Sequence, residues 1–342
     1  EPLDAAVARS YVGGRGLGAY LAYREIAPNT DPFSPDSSIY FISGPVQGTM
    51  TPFAPKFIIM NKSPLSGSLS RSVCGGGSFG PELKYGGFDA VVVKGKAESP
   101  VYVMIDDGKV EIRDAQKYWG MTTGETQAAI RKDLNDNSVS VIPIGPAGEN
   151  LVRFAGVIVG SRAAARGGTG AVMGSKLLKA VAVQSTKGVR VADIREFQSL
   201  LAETYATIRE NPAVPKRIEL GTPGTVAVTY ASGVLPIMNF SRSTFDGIQG
   251  LMPDTVRDTL YIHNESCFGC PIPCGKAGFI KDGPYKGTVL PGPEYETIGL
   301  LGSNCGIGDI RAVAQANYLC NEYGIDTISA GSTVAFAIEC YQ

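Results

Sequence analysis

Three of the seven cysteines in this chain fall within eight residues, in the run Ser266-Cys267-Phe268-Gly269-Cys270-Pro271-Ile272-Pro273-Cys274-Gly275. The spacing is C-x2-C-x3-C, interleaved with Gly and Pro, so the backbone can wrap a small object while several sulfurs point inward. Iron–sulfur clusters are held by Cys thiolates, usually four, often three from a tight run and one from far away. A zinc knuckle and three buried thiols are the alternatives. Zinc usually takes a second close Cys or His pair, and none follows. His263, the only histidine, lies four residues before Cys267 and has no partner histidine. The run points to electrons without naming a substrate.

With 342 residues the chain is long enough for two or more domains and a sizeable core. Lys and Arg number 31 against 32 Asp and Glu, a net charge of -1. That balance argues against nucleic acid as the main partner, since phosphate binding needs a basic excess. No apolar run reaches the length of a membrane span, and no charged-then-apolar signal segment opens the chain. The opening Glu1-Pro2-Leu3-Asp4 lacks an initiator Met, so further residues are expected before Glu1. The other cysteines, at positions 74, 305, 320 and 340, are scattered and make the total odd. This is no secreted disulfide framework, and a reducing cytoplasm is expected. Glycine is the unusual residue: 43 in all, many in clusters, where backbone approaches something closely or turns through positive φ.

Near the start, Tyr11-Val12-Gly13-Gly14-Arg15-Gly16-Leu17-Gly18 leads into a helical pattern over Ala19–Ile26. It reads as a packing turn, because Asp4–Tyr11 is not the apolar strand that a dinucleotide fingerprint follows. Strands are expected at Ser38–Ile42, Lys56–Asn61, Asp89–Val93, Val101–Ile105, Lys109–Ile112 and Ser138–Ile144. A helix is expected over Thr123–Leu134, with Thr123 as its cap and Glu125 in its first turn. Two glycine-dense loops interrupt this sheet-rich half: Ser72–Gly80 and Arg162–Lys176. The second carries two Arg and a terminal Lys but no Walker A pattern. Paired Arg side chains and close glycine backbone suit an anionic ligand.

From about Val191 the periodicity becomes helical, over Ile194–Glu210, Thr222–Ser232, Asp309–Tyr323 and Ser329–Tyr341. The fold class is therefore α+β, with a β-rich domain over 1–188 and a mainly helical domain over 189–342. The cysteine run opens the second helical stretch.

The loop R-A-A-A-R-G-G-T-G-A-V-M-G-S-K, the run C-F-G-C-P-I-P-C-G, the segment Gly292-Pro293-Glu294-Tyr295-Glu296 and the opening G-G-R-G-L occur together and in order. In this combination the chain resembles the tungsten-dependent aldehyde:ferredoxin oxidoreductase family over essentially its whole length. The resemblance implies a β-rich saddle under tungsten, or molybdenum, held by the dithiolenes of two pyranopterins. It also implies helical domains above the metal and a 4Fe-4S cluster beside one pterin. The loops around Cys74–Gly76 and Arg162–Ala163, with Arg166 and Gly167, would then meet the pterin phosphates and a Mg2+ between them. Lys56 stands where the family can have an Arg, keeping the charge without the bidentate fork. Asn321-Glu322-Tyr323-Gly324-Ile325-Asp326 resembles the family's pterin-amine motif, with Asn321 replacing its first Asp; Gly324 and Asp326 keep their places.

Cys267, Cys270 and Cys274 would be three cluster ligands. The family's fourth lies in a second such motif downstream, beyond Gln342, so the helical domain is expected to be cut short. The resemblance makes Glu296 the catalytic carboxylate, a proton handler beside the metal; an ordinary helix-start Glu is the alternative. Cys305 is expected to be a packed thiol. Some members bridge two subunits with an iron held by E-x-x-H. The matching positions here are Gln315 and Tyr318, poor iron ligands, so any homo- or hetero-oligomer is expected without that iron.

The expected reaction is oxidation of an aldehyde with water to a carboxylic acid, reversible with a strong reductant, with electrons leaving to ferredoxin or an electron-transfer subunit. Other tungsten or molybdenum reactions on the same scaffold are the first alternative, such as 2-hydroxy acid oxidation or aryl thioester reduction. A non-catalytic iron–sulfur electron carrier is the second, although a carrier has no need of a phosphate cradle.

Overall fold

The strand Ile39–Ile42 (β1) is the run Ile-Tyr-Phe-Ile, buried at every position. Alternate side chains point to opposite faces of a strand, so a strand apolar throughout serves two cores. Ile39 and Phe41 enter one core, Tyr40 and Ile42 another. The computed structural model describes all 342 residues, and the chain divides into two units. The first comprises Glu1–Ala202 with Cys267–Cys270 and Glu322–Ile325; the second comprises Glu203–Ser266, Pro271–Asn321 and Asp326–Gln342.

In the first unit, α1 (Ala5–Tyr11) and α2 (Gly14–Glu25) precede β1. Then come β2 (Phe57–Lys62), β3 (Leu69–Cys74), α3 (Phe79–Tyr85) and β4 (Ala90–Val93). They form an antiparallel sheet in the order β3-β2-β1-β4. Next follow β5 (Val101–Asp106), β6 (Lys109–Asp114), α4 (Thr123–Leu134), β7 (Ser140–Pro143) and α5 (Pro146–Glu149). The hairpin β8 (Val157–Val159) and β9 (Arg162–Ala164), then α6 (Thr169–Ser175) and β10 (Leu178–Gln184), complete the unit's sheets. A second sheet runs β6-β5-β10-β7, with β10 parallel to β5 and antiparallel to β7.

The layers follow from the alternation. Residues Ile39, Phe41, Phe57 and Ile59 of the first sheet share a core with Val103, Ile105, Val181 and Val183 of the second, and Phe79 and Leu83 of α3 join them. The outer face of the first sheet packs on Leu17, Ala22 and Ile26. The outer face of the second packs on Ile130 of α4. Gly18 permits the first of these contacts, since a Cβ there would collide with Ile42.

The second unit begins within α7 (Ile194–Glu210), at Glu203, and continues with α8 (Val214–Leu220), α9 (Thr225–Ala231) and α10 (Pro253–Leu260). An antiparallel sheet of β11 (Tyr261–Glu265), β12 (Gly275–Phe279) and β13 (Val289–Pro291) follows, with β12 in the middle. The short α11 (Tyr295–Thr297) continues as a π-turn over Ile298–Gly302, and α12 (Ile310–Tyr323) and α13 (Thr327–Tyr341) end the chain. Val226, Leu251, Val256, Leu260, Ile298 and Val313 lie in one core. No helix is long and apolar enough to cross a membrane.

The α+β class holds, with local corrections. The segment before the glycine run is the helix α1, with the Asp4 carboxylate accepting from its first amides, where no element was expected. The glycine run Gly14–Gly18 is itself the first turn of α2. The helix α4 spans Thr123–Leu134 as expected, but its cap is Thr122, not Thr123: Thr122 and Glu125 form a reciprocal capping box. The cysteine run does not open a helix; it joins β11, whose polar sequence Tyr-Ile-His-Asn-Glu hid a strand, to β12.

Candidate functional site

Strand β3 ends at Cys74, and the chain then turns through Gly75, Gly76 and Gly77 into α3. Gly76 and Gly77 have φ of +90° and +60°, the left-handed region that glycine enters without strain. A Cβ on Gly76 would run into the Arg162 side chain and stand 3.7 Å from the Val159 carbonyl oxygen. Val159 and Arg162 face each other across the β8–β9 hairpin. On Gly75 a Cβ would lie 3.4 Å from the Cys267 Sγ and 3.5 Å from the Lys56 Cγ. The glycine turn is thus bracketed by Lys56 and Cys267 at one residue and by Arg162 at the next.

Cys74 is 2% exposed, and its Sγ donates to the Gly75 carbonyl at 3.0 Å. Burial pushes this thiol up to about 12, against the pull of Arg162. It is a protonated donor, so this position offers a ligand its backbone rather than a thiolate.

Arg166 and Gly167 are anchored by their carbonyls. Ser72 Oγ donates to the Arg166 oxygen, and Asn61 Nδ2 donates to the Gly167 oxygen at 3.3 Å. Thr169 Oγ1 donates to Asn61 Oδ1 at 3.0 Å and lies 3.1 Å from Ser72 Oγ. Asn61, Ser72 and Thr169 are all buried, while Ala163 and the Arg166 side chain are exposed. These three anchors escaped the sequence reading. Their one signal is a lone polar residue inside an otherwise apolar stretch, as with Asn61 after Phe-Ile-Ile-Met.

Within the cysteine run the Cys270 amide donates to the Cys267 carbonyl at 3.0 Å, around Gly269 at φ +62°. Farther on, the Cys274 amide donates to the Ile272 carbonyl at 2.8 Å. All three cysteines are half-buried, and none of the seven is in a disulfide. No three His, Cys, Asp or Glu side chains converge as a closed metal-holding set. In kind the donors fit an iron–sulfur group: thiols alone, accessible, on turns that glycine and proline hold open.

The first unit also holds Gly324, at φ +71°, whose carbonyl accepts from the Gly156 amide at 2.8 Å. In the second unit lie Cys274, Glu296, Asn321 and Asp326. Asn321 is half-buried near the end of α12. Asp326 is the N-cap of α13; its carboxylate accepts from the Ile328 and Ser329 amides at 3.3 and 3.1 Å and from Ser329 Oγ at 2.6 Å. Of the two glutamates in the G-P-E-Y-E segment, Glu294 accepts from Thr222 Oγ1, which in turn accepts from the Tyr295 amide at 2.9 Å. Glu296 is exposed in the first turn of α11. Thr222 is a fourth residue that sequence reasoning did not single out. Cys305 is buried, its Sγ donating towards the Leu300 and Gly331 carbonyls at 3.2 and 3.3 Å.

Comparison with known proteins bears on what this arrangement serves. The chain is 41% identical, over its whole length, to the tungsten-containing aldehyde ferredoxin oxidoreductases of Pyrococcus furiosus and Thermococcus kodakarensis, and it spans 56% of their length. It is 34% identical to the aliphatic sulfonate oxidoreductase WOR-like subunit of Pyrococcus furiosus, over 99% of this chain and 56% of that protein. Among solved structures it resembles the active site complex BamBC of benzoyl coenzyme A reductase, in complex with 1,5 dienoyl-CoA. The TM-score there is 0.86 at 32% identity, covering 99% of this chain and 53% of that one. Family models described as aldehyde ferredoxin oxidoreductase, N-terminal domain, and aldehyde ferredoxin oxidoreductase, domains 2 & 3, match residues 1–185 and 199–342. The chain belongs to the aldehyde ferredoxin oxidoreductase family.

Proposed function

We propose that the protein containing this chain oxidises an aldehyde with water to a carboxylic acid at a tungsten–bispterin centre. Electrons leave singly through a 4Fe-4S cluster to ferredoxin or an electron-transfer subunit. The observation that carries this reading is the bracketing of Gly75 and Gly76 by Lys56, Cys267 and Arg162. A cationic, glycine-lined turn beside a cysteine ligand suits a phosphate-bearing cofactor next to a cluster. An electron carrier alone has no use for it.

When bound, the metal–pterin group supplies the two-electron acceptor that the oxidation requires. The chain's own residues do the rest. The backbone of Cys74, Gly76, Ala163 and Gly167 would meet the pterin phosphates and a Mg2+, and Lys56, Arg162 and Arg166 would supply positive charge. Asn321, Gly324 and Asp326 would meet the pterin amine, and the Asp326 carboxylate also caps α13. Cys267, Cys270 and Cys274 hold the cluster. Aldehyde and water give acid, two protons and two electrons, and Glu296 takes a proton from the attacking water. The engagement of Glu294 by Thr222 supports Glu296 for this part, since Glu296 is exposed in the first turn of α11.

The likeness to the benzoyl coenzyme A reductase complex favours one second reading, reduction of an aryl thioester ring. At 32% identity against 41% for the aldehyde oxidoreductases, it ranks behind. Metal, pterin and iron analysis of the full-length protein purified without oxygen, followed by assay on aldehydes and on an aryl thioester, separates the readings. Tungsten with pterin and aldehyde turnover supports the proposal, and iron without tungsten, molybdenum or pterin sinks it. Glu296→Gln should keep its metal and lose turnover by orders of magnitude. Unchanged turnover would remove Glu296 from the mechanism.

A further inference from the structure

Strand β12 leaves the cysteine run directly, and its second residue is Lys276, 4% exposed. It therefore lies two residues beyond Cys274, the last cysteine of the run. Its ammonium donates to the Ile218 carbonyl and to Asn264 Oδ1 at 2.5 Å, and lies 5.5 Å from the centre of the Tyr261 ring. Every one of these partners is neutral. Two glycines close over the stem. A Cβ on Gly221 would lie 2.6 Å from the Cys274 carbonyl oxygen and 3.2 Å from the Lys276 Cε. A Cβ on Gly292 would lie 2.8 Å from the Lys276 Cβ. The Gly292 amide donates to the Lys276 carbonyl at 2.7 Å, joining the strand to the segment that bears Glu296.

A desolvated cation without a counter-ion is costly. Other buried lysines, such as Lys176, also rest on carbonyls alone. What sets Lys276 apart is its place beside a cysteine of the run.

We propose that Lys276 is the buried counter-charge of the iron–sulfur group held through Cys274, and that it raises the potential at which that group accepts an electron. The inference rests on the cofactor reading given above. A thiolate-ligated cluster is anionic and gains one negative charge with each electron; cluster potentials depend on net charge and burial. A fixed positive charge in a low-dielectric interior therefore stabilises the reduced state more than the oxidised one. The electron comes from aldehyde oxidation and leaves to the external acceptor, so Lys276 is a tuning residue and takes no part in bond making.

The test compares full-length wild type, Lys276→Met and Lys276→Arg, purified without oxygen. Iron and sulfide content are measured first, then the midpoint potential by EPR-monitored titration. The expected result is full iron in all three, a midpoint shifted to more negative potential in Lys276→Met, and one close to wild type in Lys276→Arg. A Met variant with full iron and an unmoved midpoint overturns the inference. Should Lys276→Met not fold, Lys276→Gln, which keeps a donor without the charge, must show the same shift. Loss of the cluster in both neutral variants but not in Lys276→Arg supports the counter-charge, and loss in Lys276→Arg as well overturns it in favour of a steric role. Wild type without iron would instead refute the cofactor reading, and the inference would fall with it.

Discussion

Each unit buries a lysine on an inner strand, and the two neutralise it in different ways. Lys179 on β10 is 0% exposed and forms an ion pair with Glu149, which also accepts from the Gly120 amide at 2.9 Å. A second proton of Lys179 goes to the Met121 carbonyl at 2.8 Å. Lys276 on β12 has a carbonyl, an amide oxygen and an aromatic face, and no carboxylate. Lys179 carries its own anion within the chain, so its charge is spent on holding α5 to the second sheet. The charge of Lys276 is left available to act on something else. A buried cation is thus structural where the fold supplies its counter-ion, and a candidate for function where the fold does not.

The largest effect expected from this contrast is at Glu149. Glu149→Gln leaves Lys179 charged and enclosed, and breaking a buried pair from one side costs about 3–5 kcal/mol. The urea midpoint should fall accordingly, and Lys179→Met combined with Glu149→Leu should recover most of the loss. Lys276→Met comes next. It removes the charge along with the side chain and leaves only two acceptors unsatisfied, for a loss of about 1–3 kcal/mol. If it destabilises as much as Glu149→Gln, the contrast between the two lysines fails.

Neither lysine's role could be read from the sequence, for identifiable reasons. The run Ile-Tyr-Phe-Ile declares β1 because its alternation satisfies two cores locally. Leu-Lys-Ala-Val-Ala-Val-Gln does not declare β10, whose strand state is fixed by parallel pairing with β5, far away in sequence. The Lys179–Glu149 pair spans 30 residues and leaves no periodic trace. At the candidate site, clustered glycine marked the turn at Gly75–Gly77, because left-handed φ and close approach demand a residue type. The hydrogen-bond anchors Asn61, Ser72, Thr169 and Thr222 were invisible, since a hydroxyl or amide is common anywhere and only the folded chain shows what it meets. Likewise the capping box announced α4, but two adjacent threonines left the cap ambiguous until Thr122 was seen to accept from the Glu125 amide.

A third buried lysine sharpens the comparison through pH. Lys176 donates to the Pro35 and Gly95 carbonyls at 3.3 and 2.9 Å, and burial pulls its pKa from 10.5 down to about 8, with Asp36 opposing. Below about pH 8 the folded and unfolded chains both hold the proton, and the folded state bears the full cost of the buried charge. As pH rises from there towards 10.5, the unfolded chain keeps a proton that the folded one has shed, so this group's contribution to stability increases. Lys176→Met should therefore be more stable than wild type at neutral pH. The gap should narrow by about 1–2 kcal/mol on going to about pH 9.5. Denaturation midpoints of both proteins at the two pH values measure it; a constant gap would mean that Lys176 does not titrate in this window.

The smallest effect separates hydrogen bonding from charge at Lys276 itself. Asn264 sits on β11, opposite Lys276 in the sheet, and gives it one acceptor. Asn264→Ala removes that acceptor from an exposed backbone position, at a cost of about 1 kcal/mol, and leaves the ammonium on the Ile218 carbonyl and the Tyr261 ring. If Lys276 acts through its charge, the midpoint potential of the iron–sulfur group should stay where it is in wild type, while the urea midpoint drops slightly. A potential that moves in Asn264→Ala as far as in Lys276→Met would assign the tuning to the hydrogen-bonded geometry of the β11–β12 pair. The contrast with Lys179 would then reduce to one of packing, because both lysines would be holding strands in place and neither charge would reach beyond the fold.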